Sequence, residues 1–500
     1  MKNTLEGNLL LISHYLGINQ FASLTDEIIN KTNLNPLLLV LSKRNYKNCK
    51  KLNIDPKIIN SFENDIEKKN FGIFNNEEIN LRFPNINWSE IIASERSFSD
   101  YSFLMGSSGN RLENSEYIEK LLLRMISFFD YYINIHKPSC IISTWGDNIF
   151  NNTINILAAE KNIRIILPHV AMHSINENKQ SGYLGNTFFL ESYEMINKYL
   201  KLKKRKLTNE EIERSKKLKN IILFNDHKKA LTLRHNMKVF KSNPISNNLK
   251  NIFIYLKNNR ELNKEIEFYK INIFRKIKAN IKRYLQSKQA NNFLKKQTNP
   301  LPENFLFFPM HFQPEASTLV GGIWHTNQIA LIESISKSLP LGHRLIIKEH
   351  YRAIGFRPLW QYKHLNSLHN VQFSNLKTQT ILKASKLVLS ITGTIGIEAL
   401  AMKKPVIMLG KNFHTYNNLY YKADSPKDLV KQIKRIIIDK DFEKRENIDE
   451  EIARFFISYF DSLYDFNPWD NPRGLLPFIV NELKKSRTNE KKFLSEKFLN

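Results

Sequence analysis

The chain has 500 residues, 42% of them hydrophobic, which is enough for two or more domains with cores of their own. Its two cysteines, Cys49 and Cys140, are too few for a disulfide framework and indicate a reducing compartment. We expect neither a signal peptide nor a membrane span, because no apolar segment reaches about 18 uncharged residues.

The formal net charge of +27 is concentrated in one segment. Residues 196–300 contain 28 Lys and Arg against 7 Asp and Glu. Such a segment is typical of a protein that binds a polyanion, either acidic lipid headgroups, an anionic glycan or nucleic acid. We expect no nucleic acid as partner, because no known nucleic-acid-binding motif accompanies the charge.

Residues 1–195 have the pattern of an α/β domain. Three apolar runs, at 35–42, 140–147 and 163–170, predict buried strands, and residues 151–162 predict the helix between the last two. This βαβ spacing predicts a parallel sheet, and therefore a Rossmann-like first domain.

The basic segment 196–300 is predicted to be helical and to separate two domains. In residues 274–288, Phe274, Ile277, Ile281 and Leu285 recur every three or four positions and leave Lys and Arg on the other faces. This pattern is typical of an amphipathic helix lying on a surface. Three interpretations of this helix stay open: packing against the protein itself, contact with a membrane, and contact with nucleic acid. The last is the least favoured, for the reason given above.

Residues 301–445 alternate regularly between strand and helix. Strands are predicted at 305–310, 343–350, 370–374, 386–391 and 406–409, with helices between them. A doubly wound parallel sheet follows, so the predicted fold class is α/β with two Rossmann-like domains. Residues 446–500 are predicted to add C-terminal helices.

Polar residues follow three of these strands where the strands end. The first strand is followed by His311 and Glu315, and the second ends at Lys348 and His350. The fourth ends in a turn with two glycines, which includes Thr392, Gly393, Thr394 and Gly396, with Glu398 in the helix that follows. Parallel strands share one direction, so these residues should meet at one edge of the sheet and form a ligand cleft.

Each of these residues has a functional and a structural interpretation. Glu315 is the first candidate for a general base and His311 the second. The glycine turn and the following helix could bind a phosphate, although the turn could also be an ordinary strand-to-helix connection. Lys348 and His350 could face the phosphate or be solvated, and Glu398 could bind ribose or simply favour the start of a helix. No metal-binding pattern is present, so no metal or other cofactor is expected.

Three segments resemble bacterial capsule and surface-polysaccharide glycosyltransferases of the GT-B type, in particular the group that contains the capsule Kdo transferases. These segments are "FPMHFQPEAST", "LIIKEH" followed by Gly355, and "TGTIGIEALAMKKPVIMLG". Two N-terminal segments, "ASERSFSDYS" and "KPSCIISTWGDN", are similar to that group with less specificity. Where the family has a proline after the strand-end histidine, this chain has Tyr351 after His350.

The resemblance implies a two-domain enzyme that transfers a sugar from a CMP- or UDP-linked nucleotide-sugar donor to a glycan or glycolipid acceptor without a metal. It implies that the glycine turn, Lys348 and His350 hold the donor phosphate, Glu398 holds the ribose, and Glu315 accepts the acceptor proton in an inverting displacement. Asp147 in the first domain is an alternative base.

Two other functions share this fold: a sugar-nucleotide epimerase, and a non-catalytic glycan-binding or assembly protein. For the enzyme we expect a cytoplasmic location at the inner face of the cell membrane. There the "KLKKRK" cluster at 201–206 would contact anionic lipid.

Overall fold

A computed structural model describes most of the chain in twelve stretches. They are residues 3–13, 18–41, 46–47, 49, 55, 59–63, 65, 72–96, 115–146, 148–174, 180–224 and 273–485.

The first lobe is built on a six-stranded sheet. Its strands are β1 (Asn3–Ser13), β2 (Thr32–Val40), β3 (Ile59–Ser61), β4 (Cys140–Ile142), β5 (Arg164–Val170) and β6 (Gly182–Gly185). They lie in the order β3-β2-β1-β4-β5-β6, and only β6 is antiparallel to its neighbour. The predicted parallel sheet is therefore confirmed. The central strand β1 was not predicted, because the polar residues of "NTLEGN" precede its apolar half.

Helices cover the faces of this sheet and extend beyond it. They are α1 (Ile18–Lys31), α2 (Asn76–Arg82), α3 (Trp88–Ala93), α4 (Ser115–His136), α5 (Ile149–Glu160), α6 (Tyr193–Lys203) and α7 (Asn209–Phe224). The predicted helix at 151–162 corresponds to α5. Its N-terminal cap, Asn148, accepts a hydrogen bond from the amide of Asn151.

The second lobe is a fully parallel sheet of six strands. They are β7 (Phe305–Pro309), β8 (Arg344–Lys348), β9 (Val371–Phe373), β10 (Leu387–Ser390), β11 (Val406–Met408) and β12 (Tyr421–Lys422). Their order is β12-β11-β10-β7-β8-β9. Read from β9, this is the same order as in the first lobe, and it is the Rossmann order. The predicted fold class is thus confirmed.

The helices of the second half alternate with these strands and continue past them. They are α8 (Ile273–Lys295), α9 (Ala316–Leu319), α10 (Gln328–Lys337), α11 (Leu359–Ser367), α12 (Thr378–Ala384), α13 (Ile395–Ala401), α14 (Pro426–Ile437), α15 (Ile448–Phe460) and α16 (Leu476–Lys484). The central strands are buried on both faces, as a parallel sheet covered by helices requires.

The last two helices return to the first lobe. Helix α15 packs on α6 and α7, where Arg454 donates hydrogen bonds to the carbonyls of Leu202 and Arg205. Helix α16 packs on α1 and β1, and Arg164 donates to the carbonyl of Glu482 over 2.7 Å. The chain therefore passes between the lobes twice.

Candidate functional site

Three neighbouring strands deliver the predicted site residues to one edge of the second sheet. Strands β10, β7 and β8 are adjacent and parallel, so the segments after Ser390, Pro309 and Lys348 emerge side by side. This convergence is what the alternation of strand and helix in the sequence predicts.

His311 is joined directly to the glycine turn. Its Nε2 lies 3.3 Å from Oγ of Ser390 and 3.5 Å from the amide nitrogen of Thr392. The amide of Gly393 donates to the same serine hydroxyl over 3.0 Å. A Cβ atom at Gly393 would lie only 3.0 Å from the imidazole, so the histidine and the turn pack as one unit.

Burial keeps the imidazole of His311 neutral. Burial, with smaller contributions from charge repulsion by His350 and Arg357, lowers the pKa of His311 to about 3. The backbone of His311 is fixed by Gln328, which accepts from its amide over 2.7 Å and donates to its carbonyl over 3.0 Å. Its Nδ1 is buried and makes no hydrogen bond within the described part of the chain.

The glycine turn has an open part and a buried part. Gly393 and Thr394 are half-buried, whereas Thr392, Gly396 and Glu398 are buried. The Thr392 hydroxyl donates to the carbonyl of Ser317 over 2.9 Å, and its carbonyl accepts from Asn412 over 2.7 Å.

Gly396 has a packing role. A Cβ there would lie 3.1 Å from the ring of Tyr420 and 3.2 Å from the sulfur of Met408. Its absence lets α13 approach strand β11. Of the predicted phosphate ligands, the structure thus places Gly393 and Thr394 at the open face, with Thr392 and Gly396 behind them.

A buried ion pair ties the ends of β7 and β8 together. Glu349 accepts from Arg357 over 2.7 Å, and both side chains are only 2% exposed. The same carboxylate accepts from the Tyr362 hydroxyl over 2.8 Å and from the amide of His350 over 2.7 Å. Arg357 also donates to the carbonyl of His311 over 2.9 Å. The pair therefore fixes the spacing between the two histidines.

Lys348 and His350 lie at the end of β8. The ammonium group of Lys348 donates to the carbonyl of Leu376 over 2.6 Å, and partial burial lowers its pKa. Burial also lowers the pKa of His350 to about 4, with smaller contributions from Arg352 and Arg357. The rings of His350 and Tyr351 stack with their centres 4.7 Å apart. Tyr351 is the residue at the position where the family that the chain resembles has proline.

Glu315 is the most accessible acid of the site. Its side chain is 41% exposed and lies 3.5 Å from Arg352, whose guanidinium lies 4.6 Å from the centre of the Phe312 ring. Arg352 was not selected from the sequence, because nothing in a loop arginine at this position distinguishes it from a solvated one.

The site borders on the first lobe. Asn412, which holds the carbonyl of Thr392, is followed by Phe413, whose ring is 5.3 Å from that of Tyr183 in β6. The ammonium of Lys411 lies 5.1 Å from the ring of Phe189, also in the first lobe. The turn therefore lies beside the contact between the lobes, at the edge where a ligand could touch both. Asp147, the alternative base, lies outside the described residues.

Among the described residues, no group of three or more His, Cys, Asp or Glu side chains could hold a metal ion. The triplet Asp439-Lys440-Asp441 has the DxD spacing found in some metal sites, but it follows the end of helix α14. The Asp441 carboxylate lies 2.9 Å from Arg435 and accepts a hydrogen bond from the Tyr421 hydroxyl.

Two Rossmann-type lobes, with the glycine turn of the second placed beside the first, define a fold of the GT-B class. Within this chain, residues 245–427 match the family model described as capsule polysaccharide biosynthesis protein. The resemblance noted in the sequence is therefore confirmed for that part, a little over a third of the chain.

Solved structures with a similar fold include two kinds of protein. One is "Thermosulfurimonas dismutans KpsC, beta Kdo 2,7 transferase", at 13% identity and a TM-score of 0.33, over 65% of this chain and 78% of that one. Another is a UDP-GlcNAc 2-epimerase from Methanocaldococcus jannaschii, at 12% identity and a TM-score of 0.24, over 91% of this chain and 99% of that one. A search of curated proteins found no match to the sequence.

Proposed function

We propose that the protein is a glycosyltransferase that moves a sugar from a CMP- or UDP-linked donor to a growing capsule or surface polysaccharide. The observation that supports this most is the joining of His311, Ser390 and Gly393 into one unit at the carboxyl edge of the second sheet, beside the first lobe. In doubly wound folds this edge is where nucleotides bind. The match to a capsule-synthesis family over the same lobe supports the choice of substrate class.

In this proposal the donor phosphate sits against Gly393 and Thr394. Helix α13 has only seven residues, so little of the binding comes from its dipole. His311 would position the turn and not contact the phosphate, because its Nε2 faces Ser390 and the amide of Thr392 and its Nδ1 is buried. Lys348 ends β8, and His350 and Arg352 follow it; they lie beside the segment after β7 that carries His311 and would supply the hydrogen bonds. Thr392, Gly396 and Glu398 would support the turn from its buried side, a less direct role for Glu398 than the ribose contact expected from the sequence.

Glu315 is proposed as the base. Its exposed carboxylate would take the proton of the acceptor hydroxyl while that oxygen attacks the anomeric carbon on the side opposite the phosphate, and the nucleotide would leave with inversion. His311 is a poor base at neutral pH because its pKa is lowered to about 3. Lysine and arginine charges would stabilise the departing phosphate, so we propose a metal-independent reaction.

The first test is ligand binding. We expect CMP, CDP or UDP to raise the melting temperature of the protein, and GDP not to, because binding to the native state stabilises it by mass action. The double variant Lys348→Ala/His350→Ala should lose at least tenfold in nucleotide affinity. Lys337→Ala/His369→Ala, which removes the same residue types at exposed positions of the same lobe, should not. If none of the nucleotides shifts the melting temperature, the donor site is wrong.

Turnover then separates the three candidate functions. A transferase consumes its donor only with an acceptor present, an epimerase converts the donor alone, and an assembly protein does neither. We expect Glu315→Gln to bind nucleotide normally and to lose at least a hundredfold in kcat, while EDTA should leave the activity of the unaltered protein unchanged. Normal turnover by Glu315→Gln would show that Glu315 is not the base and would favour a base in the first lobe.

The acceptor is proposed to be lipid-linked, and the protein to work at the inner, anionic face of the cell membrane. None of the helices in the described part of the chain is both long and apolar enough to cross a bilayer. The basic cluster at 201–206 is partly engaged within the protein: Arg205 pairs with Glu211 at 2.5 Å, and Lys203 lies 3.9 Å from Glu451. We expect neutralisation of Lys203, Lys204, Arg205 and Lys206 to reduce flotation of the protein with anionic vesicles. Unchanged flotation would show that this cluster does not contact the lipid.

A further inference from the structure

Helix α8 exposes an apolar stripe on the side that faces away from the protein. Ile281 and Leu285 are 49% and 55% exposed, and with Ile277 they recur every four residues. Lys278 and Lys282 lie beside them on the same open surface of the helix. At about 100° per residue, Ile281 lies about 160° from Ala279 and about 180° from Ala290 around the helix.

The opposite side of α8 is the one that packs on the second lobe. Ala279, Ala290 and Leu294 are buried, and the Phe293 ring lies 5.6 Å from that of Phe373 in β9. Gly355 packs so closely that a Cβ there would lie 2.6 Å from the carbonyl oxygen of Arg283. Packing against the protein therefore uses alanines along most of α8, and Phe293 and Leu294 only near its end, while Ile281 and Leu285 stay outside.

The charge of α8 shows which kind of partner fits this stripe. Residues 273–295 contain seven Lys and Arg and no Asp or Glu. Lys278 and Lys282 flank the stripe, and the ammonium of Lys288 lies 4.7 Å from the centre of the Tyr284 ring, which is itself 42% exposed. Trp360, on the adjacent helix α11, is 62% exposed. Together with Lys282 it lines a groove between α8 and α11.

We propose that this face of α8 docks on an anionic lipid bilayer, with Ile277, Ile281 and Leu285 inserted among the headgroups and the lysines paired with lipid phosphates. An aliphatic stripe bordered by cations, with tyrosine and tryptophan at its sides, has the composition of an interfacial helix. A second copy of this chain fits less well, because two such basic faces repel each other. Nucleic acid fits less well, because the centre of the face is aliphatic.

This inference rests on the proposed attachment to the membrane and specifies the surface that makes it. Its test is flotation of the full chain with vesicles of phosphatidylcholine alone and with phosphatidylglycerol added. We expect the protein to float with the anionic vesicles only. Ile281→Glu/Leu285→Glu should reduce the bound fraction at least tenfold, because it puts negative charge into the inserted stripe.

The matched control is Leu341→Glu/Ile438→Glu, which makes the same change at side chains that are 100% and 54% exposed elsewhere on the lobe. It should float normally, and both variants should keep the melting temperature of the unaltered protein. Equal flotation of the α8 variant and the unaltered protein would overturn the assignment of this face and leave the attachment itself standing.

Two further outcomes also decide the matter. If the unaltered protein does not float at all, the attachment is wrong, whatever the nucleotide screen shows about the enzyme. If the α8 variant floats normally but changes from dimer to monomer in light scattering, the stripe is an interface between copies of the chain and not a membrane contact.

Discussion

Glycines around the site matter more for the contacts they permit than for their own flexibility. A Cβ at Gly410 would lie 2.5 Å from the carbonyl oxygen of Gly321, and one at Gly321 would lie 2.5 Å from the carbonyl oxygen of Lys411. These are backbone atoms, which cannot rotate out of the way as a side chain can. The close approach of the two segments supports Thr392 from behind, since its methyl group lies 2.9 Å from the Cβ position of Gly410.

Gly410→Ala should therefore lower the free energy of unfolding by about 1–3 kcal/mol and weaken nucleotide binding, because the turn at Thr392 must shift. Gly72→Ala is the control, since a Cβ there has nothing within 4 Å. Urea denaturation and the nucleotide titration measure the two effects. A Gly410→Ala variant as stable as the control would contradict the packing described.

The sequence predicted which residues lie together at one edge of the second sheet, but it could not show how they interact. Regular strand ends placed His311, His350 and Gly393 at one edge, and that placement follows from the parallel order of the strands. Ser390 and Arg357 were missed, because a serine at the end of a strand and an arginine eight residues after Glu349 carry no distinguishing local signal. Their roles depend on contacts across neighbouring strands, which only the packed sheet defines.

Helix α15 joins distant parts of the chain through the side chain of Arg454. Arg454 lies 2.6 Å from Glu450 and 2.7 Å from Glu451 and also donates to two backbone carbonyls at the end of α6 and just beyond it. Its side chain is only 9% exposed. One guanidinium group thus satisfies four acceptors and fixes α15 against α6.

We expect Arg454→Met to lower the free energy of unfolding by about 1–3 kcal/mol, because it leaves the carbonyls of Leu202 and Arg205 without this donor and removes one partner of each of the two half-exposed carboxylates. The conservative Arg454→Lys should recover only part of this, since an ammonium cannot reproduce the planar fork. Chemical denaturation measures both. A loss below about 1 kcal/mol for Arg454→Met would show that packing of the aromatic residues alone holds α15 in place.

The regular alternation after residue 305 made the second lobe predictable to within a few residues, and the predicted strand at 406–409 differs from β11 by one residue. The amphipathic helix at 274–288 was also predicted, but not which of its faces packs on the protein. Apolar periodicity normally marks the buried face. In the middle of α8 it marks the exposed face, because Ala279 and Ala290 make the contact with the lobe there.

Across the whole molecule, several buried or half-buried histidines make stability depend on pH. Burial lowers the pKa of His414 and His311 to about 3 and that of His169 and His350 to about 4. These groups stay neutral in the folded protein, whereas in the unfolded chain they take up protons below about pH 6.5. The contribution of these neutral histidines to folding stability is therefore complete above pH 6.5 and is lost as the pH falls toward 4.

We expect the free energy of unfolding to fall between pH 6.5 and pH 5 by up to about 1.4 kcal/mol per pH unit for each of these histidines. Denaturation curves at half-unit intervals measure the slope. His414→Asn should reduce the slope of the free energy of unfolding against pH by the contribution of one histidine. A stability that is flat over this range would show that the imidazoles are solvated in the folded protein.

The return of the chain from the second lobe to the first has a consequence for the order of assembly. Helices α15 and α16 follow the second lobe in sequence but pack on the first. Leu202 and Arg164 find their partners, Arg454 and Glu482, on these last helices. The first lobe therefore cannot acquire its full set of contacts until the residues that follow the second lobe have been synthesised.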